Sequence, residues 1–293
     1  LNFLCFWLLV ALGALYLRTF ETTLMGLMFS LCYFFFSVTW VFMFWIHPEL
    51  VLMTLVMIGL FLWFMGPSVN RVAEYIRLIM IALCLAMATF GKVTNAVFIL
   101  PITLDLLLTG GNDTPVRPMV TANNLWRNVL KATVFIMSAV MIILLLFLPN
   151  KLVTGDWNYQ WCERKWFERQ FPFEDAATTF DNCGSPATRE GLAIKTDPLL
   201  FLRNCYYFLF GRFTGLIAYF LPALIALGLF FQGPRHLKQV LLFGAFVILQ
   251  GFYFIFLTDN YFGGSGTIGN RYFLNVFPLF LFLIPRRVPR VLL

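Results

Sequence analysis

Polar side chains are scarce in this chain, and four groups of them fall between apolar segments at spacings that can do chemistry. His47-Pro48-Glu49 puts a carboxylate directly after a proline turn. There it can act as a base or hold a hydroxylated acceptor, or it can be a plain solvated loop. Phe90-Gly91-Lys92-Val93-Thr94-Asn95 sets a lysine where two short helices meet. The positive end of the second helix adds its dipole, which makes an anion site suited to a phosphate; the alternative is a lysine that merely snorkels. In the third group, Asp259 to Tyr272, the run Gly264-Ser265-Gly266-Thr267-Ile268-Gly269 satisfies GxGxxG. No strand precedes it and no βαβ unit is possible, so the dinucleotide reading fails. Its glycines let the backbone turn closely over a ligand, with Asp259 and Tyr261 beside it. They deliver Asn270 and Arg271 to the head of the last helix, where the arginine fork matches a phosphate or carboxylate. The other reading is a flexible hairpin with an interfacial arginine. The fourth group is Asn204, Tyr206, Tyr207 and Arg212, which either line a lipid-headgroup groove or anchor their helix.

The sequence supports no metal site, a divalent cation included, and leaves the presence of any other cofactor open. The only histidines, His47 and His236, lie on opposite faces and no CxxC pair exists, which argues against zinc or haem. Asp105 reads as a structural hydrogen-bonder. The sequon Asn112-Asp113-Thr114 falls in a cytoplasmic loop and carries no weight.

The elements that must position these groups are membrane helices. Of 293 residues, 60% are hydrophobic and 12% are charged, and the mean hydropathy is +0.82. A soluble domain carries roughly 45–50% apolar and about 25% charged residues. A soluble enzyme, a disordered protein and a nucleic-acid binder are excluded, despite the net charge of +7. The expected fold is all-α and polytopic, with about nine spans: Leu1–Leu17, Leu24–Ile46, Leu50–Gly66, Tyr75–Phe90, Val93–Thr109, Val129–Leu148, Thr214–Phe231, Val240–Leu257 and Tyr272–Pro285. Several are short and are expected to include half-helices lining a cavity. Leu1–Leu17 lacks the basic n-region and cleavage site of a signal peptide, and the sequence reads as missing its N-terminal part. Three parts follow: residues 1–149 with six spans, 150–213 as an external loop with an interfacial helix, and 214–293 with three spans.

Lysine and arginine in short loops set the sidedness. Arg18, Arg71, Arg77, Arg117, Arg127, Lys131, Arg235, Lys238 and the closing arginines all fall on one face, the cytoplasm. The opposite face receives Glu49, Lys92, the long loop and Asp259 to Arg271. This holds if Leu199–Phe213 lies in the headgroup plane; if that stretch crosses, the last three spans invert. The loop Asn150–Pro198 has more acidic than basic residues and interleaved aromatics. Cys162 and Cys183 within it are expected to pair on an oxidising face.

Three of these pieces resemble bacterial members of the GT-C superfamily, membrane glycosyltransferases that use polyprenyl-phosphate sugars. They are His47-Pro48-Glu49 opening a span, the helix pair around Gly91-Lys92-Val93-Thr94-Asn95 leading to Pro101, and Gly269-Asn270-Arg271-Tyr272-Phe273-Leu274-Asn275-Val276-Phe277-Pro278. The resemblance implies that Lys92 and Arg271, with Arg212 and Asn270 nearby, hold a polyprenyl phosphate, and that Glu49 assists near the acceptor. It also implies an acidic catalytic loop upstream of Leu1. The location implied is a bacterial inner membrane with the long loop in the periplasm. The expected partners are membrane lipids, a polyprenyl-phosphate sugar and other membrane subunits, with no nucleic acid. A non-catalytic accessory subunit of a larger membrane complex is the alternative. A transporter fits less well, since no inverted repeat or matched mid-span charges occur.

Overall fold

The computed structural model describes residues 1–45, 47–68, 70–111, 122–155, 157, 165–166, 185–186, 196–258, 260–263 and 268–285. The chain divides into two compact units, Leu1–Ile143 with Lys195–Leu293, and Leu144–Ile194. It is all-helical apart from one two-residue antiparallel pair, Lys165–Trp166 with Ser185–Pro186, in the smaller unit.

The helices are α1 (Asn2–Leu17), α2 (Thr23–Phe35), α3 (Glu49–Phe64), α4 (Arg71–Gly91), α5 (Ile99–Thr109), α6 (Ala122–Thr154), α7 (Pro198–Phe210), α8 (Leu216–Tyr219), α9 (Leu221–Gln232), α10 (Leu237–Phe256), α11 (Arg271–Leu274) and α12 (Phe277–Leu283). Two 3₁₀ segments, Val38–Met43 and Val93–Phe98, precede α3 and α5. Among the described residues, three helices are long and apolar enough to cross a membrane: Arg71–Gly91, Leu125–Val153 within α6, and Leu237–Phe256. The outer surface suits lipid. Leu4, Phe36, Val72 and Ile225 are all exposed, where a water-facing surface would carry polar residues.

Several apolar runs expected as single spans are broken, and the breaks have local causes. Leu24–Ile46 is interrupted after Phe35, because the Ser37 hydroxyl donates to Phe34 O (2.8 Å) and accepts from Thr39 N–H (3.2 Å). Those bonds replace the helical ladder and start the 3₁₀ turn. Thr214–Phe231 splits at Phe220, ahead of Pro222 in the first turn of α9. Tyr272–Pro285 splits into α11 and α12, with Pro278 in the first turn of α12. Val129–Leu148 runs the other way: α6 continues through Pro149 to Thr154.

The short helix α12 is the hub of the larger unit. It packs on α3, α9 and α10, and all seven of its residues are buried. A helix this short satisfies little of its own backbone, so neighbours must do it. Gln239 Nε2 of α10 donates to the carbonyls of Phe282, Leu283 and Ile284 at 3.1–3.2 Å. At the other end Tyr33 Oη donates to Phe277 O (2.6 Å), with the two rings stacked at 4.4 Å. On the far side of α12, α1 and α2 meet closely: Ser30 Oγ donates to Val10 O (2.7 Å), and a Cβ at Gly13 would lie 3.1 Å from Leu281. Small residues at such crossings let helices approach without polar cost. Asp105 is structural, as expected: it is fully buried and accepts from Trp63 Nε1 (2.7 Å) and the Thr109 hydroxyl (2.8 Å).

Candidate functional site

The helix breaks bring three chain segments to one end of the α3–α4 pair. Pro48 starts α3, and Leu52 N–H donates to Pro48 O (2.9 Å). Glu49 therefore occupies the first turn, where the helix dipole favours a carboxylate. The residue is 7% exposed. Its Oε2 lies 2.8 Å from His47 Nδ1 and its Oε1 lies 3.3 Å from Arg271 Nε. Each carboxylate oxygen thus faces a basic side chain at ion-pair distance, but Glu49 Oε2, His47 Nδ1 and Arg271 Nε make no hydrogen bond among the described residues.

Arg271 is aimed by its surroundings. Asn270 caps α11 by accepting Phe273 N–H (2.9 Å), and Arg271 N–H donates to Phe262 O (2.9 Å). Gly263 takes a left-handed φ of 98°, and a Cβ there would sit 2.8 Å from Arg271 Cβ. Only glycine leaves room for the arginine stem in that conformation.

Lys92 ends α4 in an extended conformation, between that helix and the 3₁₀ turn Val93–Phe98. Its Nζ lies 4.0 Å from the centroid of the Tyr272 ring. That ring stacks on Tyr253 at 4.8 Å, and Tyr253 shares a hydrogen bond with the Thr94 hydroxyl (2.8 Å). Burial pushes the Lys92 ammonium down to about 7; Glu49 pulls it up and Arg271 pushes it further down. A cation over an aromatic face is stabilised without any hydrogen bond. Lys92 Nζ and Asn270 Nδ2 are both buried without a hydrogen-bond partner. Burying a donor in that state costs free energy unless an acceptor reaches it. An open depression of about 660 Å³, lined by Val41, Phe44, Trp45 and His47, opens beside the Glu49 pair.

Of the residues expected to act together, Glu49, Lys92 and Arg271 converge, and Asn270 sits next to Arg271 at the head of α11. Arg212 does not join them: it is exposed, its guanidinium 5.2 Å from the Phe213 ring. Tyr261 is buried edge-on against Phe254 and Phe262. Asn204 donates to Thr258 O (3.0 Å), while Tyr206 and Tyr207 are exposed. Asp259, Cys162 and Cys183 lie outside the described residues. In the sequence Tyr272 closes the Asp259 to Tyr272 group without a role of its own, and Tyr253 is not singled out at all. His47 was visible in the His47-Pro48-Glu49 run, but not as a residue whose ring nitrogen lies 2.8 Å from the carboxylate. Among the described residues no group of histidine, cysteine, aspartate or glutamate could hold a metal ion.

Comparison with protein-family models, curated proteins and solved structures finds no match to this chain. The chemistry of the site is therefore read from its own geometry. It offers two cations beside one carboxylate, with the buried amide of Asn270 next to Arg271 in the chain. That arrangement can bind an anion with hydrogen-bonding oxygens.

Proposed function

We propose that the Glu49–Arg271–Lys92 cluster is the donor-phosphate site of a membrane glycosyltransferase. It would take a sugar from a polyprenyl phosphate and pass it to an acceptor on the external face. The observation that carries this reading is the buried, unpartnered Lys92 Nζ beside Arg271. A phosphate between them would give Lys92 and Asn270 Nδ2 the acceptors they lack, and charge-assisted bonds of this kind are the strong ones. The polyprenyl chain would lie on the apolar outer surface, and the sugar would face the depression at His47.

The chain as a whole is read as crossing the membrane nine times, some spans being discontinuous helices whose broken ends meet at the site. The arginine-rich short loops then face the cytoplasm of a bacterial inner membrane, and the long loop, with a Cys162–Cys183 disulfide, faces the periplasm. Labelling of single-cysteine variants from outside, at Glu21, Asn158 and Gln232, tests this sidedness: only Asn158 should react.

A second reading is favoured by the basic side chains that face both carboxylate oxygens of Glu49, which suit it to holding His47 and Arg271 in place more than to acting as a base. An accessory subunit that binds the lipid phosphate without turning it over fits that geometry. The deciding experiment incubates the purified chain with a radiolabelled polyprenyl-phosphate sugar. Binding that is lost in Lys92→Ala and Arg271→Ala supports the site. Sugar transfer or hydrolysis supports the enzyme, and binding with neither supports the accessory reading. No binding by the parent chain overturns both.

A further inference from the structure

A second basic pocket lies at the opposite end of the α3–α4 pair. At 1.5 Å per residue, the sixteen residues of α3 separate the two by roughly 24 Å. The pocket has a volume of about 560 Å³, and its walls include Ser68 and Arg71 at the start of α4 and Trp126, Arg127 and Lys131 on α6. Its floor is the buried Glu74, held at 2.9 Å by Arg77 and at 3.1 Å by Lys131. Ser68 N–H also donates to Glu74 (2.9 Å), Arg77 to Leu62 O (2.7 Å) and Lys131 to Gly110 O (2.8 Å). The floor is a closed network that ties α3, α4, α5 and α6 together.

The rim is different. Arg71 and Arg127 make no ion pair among the described residues, so the pocket holds more positive charge than Glu74 can balance. Beyond the rim the same two helices turn apolar side chains outward: Val72 and Ile76 on α4, Leu130 and Met137 on α6, each more than half exposed. Trp126 is 79% exposed beside the rim arginines, at the level where indole rings collect in a bilayer.

We infer that the Arg71–Arg127 pocket binds the phosphate of an anionic phospholipid headgroup. The two rim arginines face the phosphate diester, Trp126 lies at the headgroup level, and the acyl chains run along the exposed faces of α4 and α6. The inference rests on the membrane reading of the chain and is independent of the donor site at Glu49. A headgroup is favoured over free phosphate because apolar surface continues directly from the cationic rim. Unpaired basic pockets between membrane helices hold anionic headgroups by this combination.

Native mass spectrometry of the purified full chain tests it, with dioleoylphosphatidylglycerol and dioleoylphosphatidylcholine as probes. The parent chain should retain phosphatidylglycerol over phosphatidylcholine. Retention should fall roughly five-fold in R71Q and in R127Q and about thirty-fold in the double variant. R235Q, at another exposed arginine, should retain it as the parent chain does, and excess inorganic phosphate should not displace the lipid. The inference is overturned if the double variant keeps its phosphatidylglycerol, if R235Q loses as much, or if the parent chain shows no preference. Displacement by inorganic phosphate overturns it too, by making the pocket a free-phosphate site.

Discussion

Arg271 Nε lies 3.3 Å from Glu49 Oε1, although the first opens a four-residue helix near the end of the chain and the second opens α3. The pair joins two helix starts on side chains that are 24% (Arg271) and 9% (Glu49) exposed. Lys92 stands in the field of both.

The pair should show energetic coupling. Glu49→Gln and Arg271→Met are each expected to destabilise the protein by about 1–3 kcal/mol, because each strands a partly buried charge. The double variant should lose less than the two single losses together, with a coupling of about 1–2 kcal/mol. Thermal unfolding in detergent of the four proteins measures it; strict additivity would mean that the ion pair contributes nothing.

Lys92 makes stability depend on pH in a definite direction. Its ammonium titrates near 7 in the folded chain, against an ordinary value of 10.5. Between those values the unfolded chain holds a proton that the folded chain has released, so stability rises with pH across that interval and is lowest below about 7. Lys92→Met removes the penalty. It should melt higher than the parent near pH 6 and converge with it near pH 10 or above. The same titration gives anion binding the opposite trend: a phosphate needs the protonated ammonium, so affinity should fall as pH climbs through about 7.

Gly263 is predicted to matter through its backbone. Gly263→Ala places a methyl against Arg271 Cβ at a left-handed φ, for a cost of about 1–2 kcal/mol. Anion binding should weaken as the guanidinium is displaced. Gly228→Ala is the matched control, because nothing lies within 4 Å of a Cβ at that position in α9; it should stabilise by about 0.5–1 kcal/mol. Melting curves and phosphate-ligand titrations on both variants check this.

Gln239 is expected to be worth more than its size indicates. Gln239→Leu leaves the last carbonyls of α12 without the amide that serves three of them. The loss should be about 2–3 kcal/mol, read as a lower melting temperature with unchanged helicity by circular dichroism. A melting temperature equal to that of the parent would show that another donor takes over.

Hydropathy alone was enough to identify a helical chain suited to lipid, because it measures which solvent each segment prefers, and α4, α6 and α10 are apolar over enough length to be read directly. The four residues of the site were also legible, since a charge left between apolar segments is costly unless it is used. What they do to one another was not. That Glu49 faces Arg271, and that Lys92 rests on Tyr272 with its ammonium pushed down to about 7, depends on distances between residues far apart in sequence. The helix breaks belong to the tertiary structure as well. A serine hydroxyl or a proline in an apolar run changes hydropathy little, yet it redirects backbone hydrogen bonds once neighbours such as Gln239 and Tyr33 are in place to receive the freed carbonyls. Residue type and spacing therefore determined the solvent and the candidate charges, while packing decided which charge neutralises which.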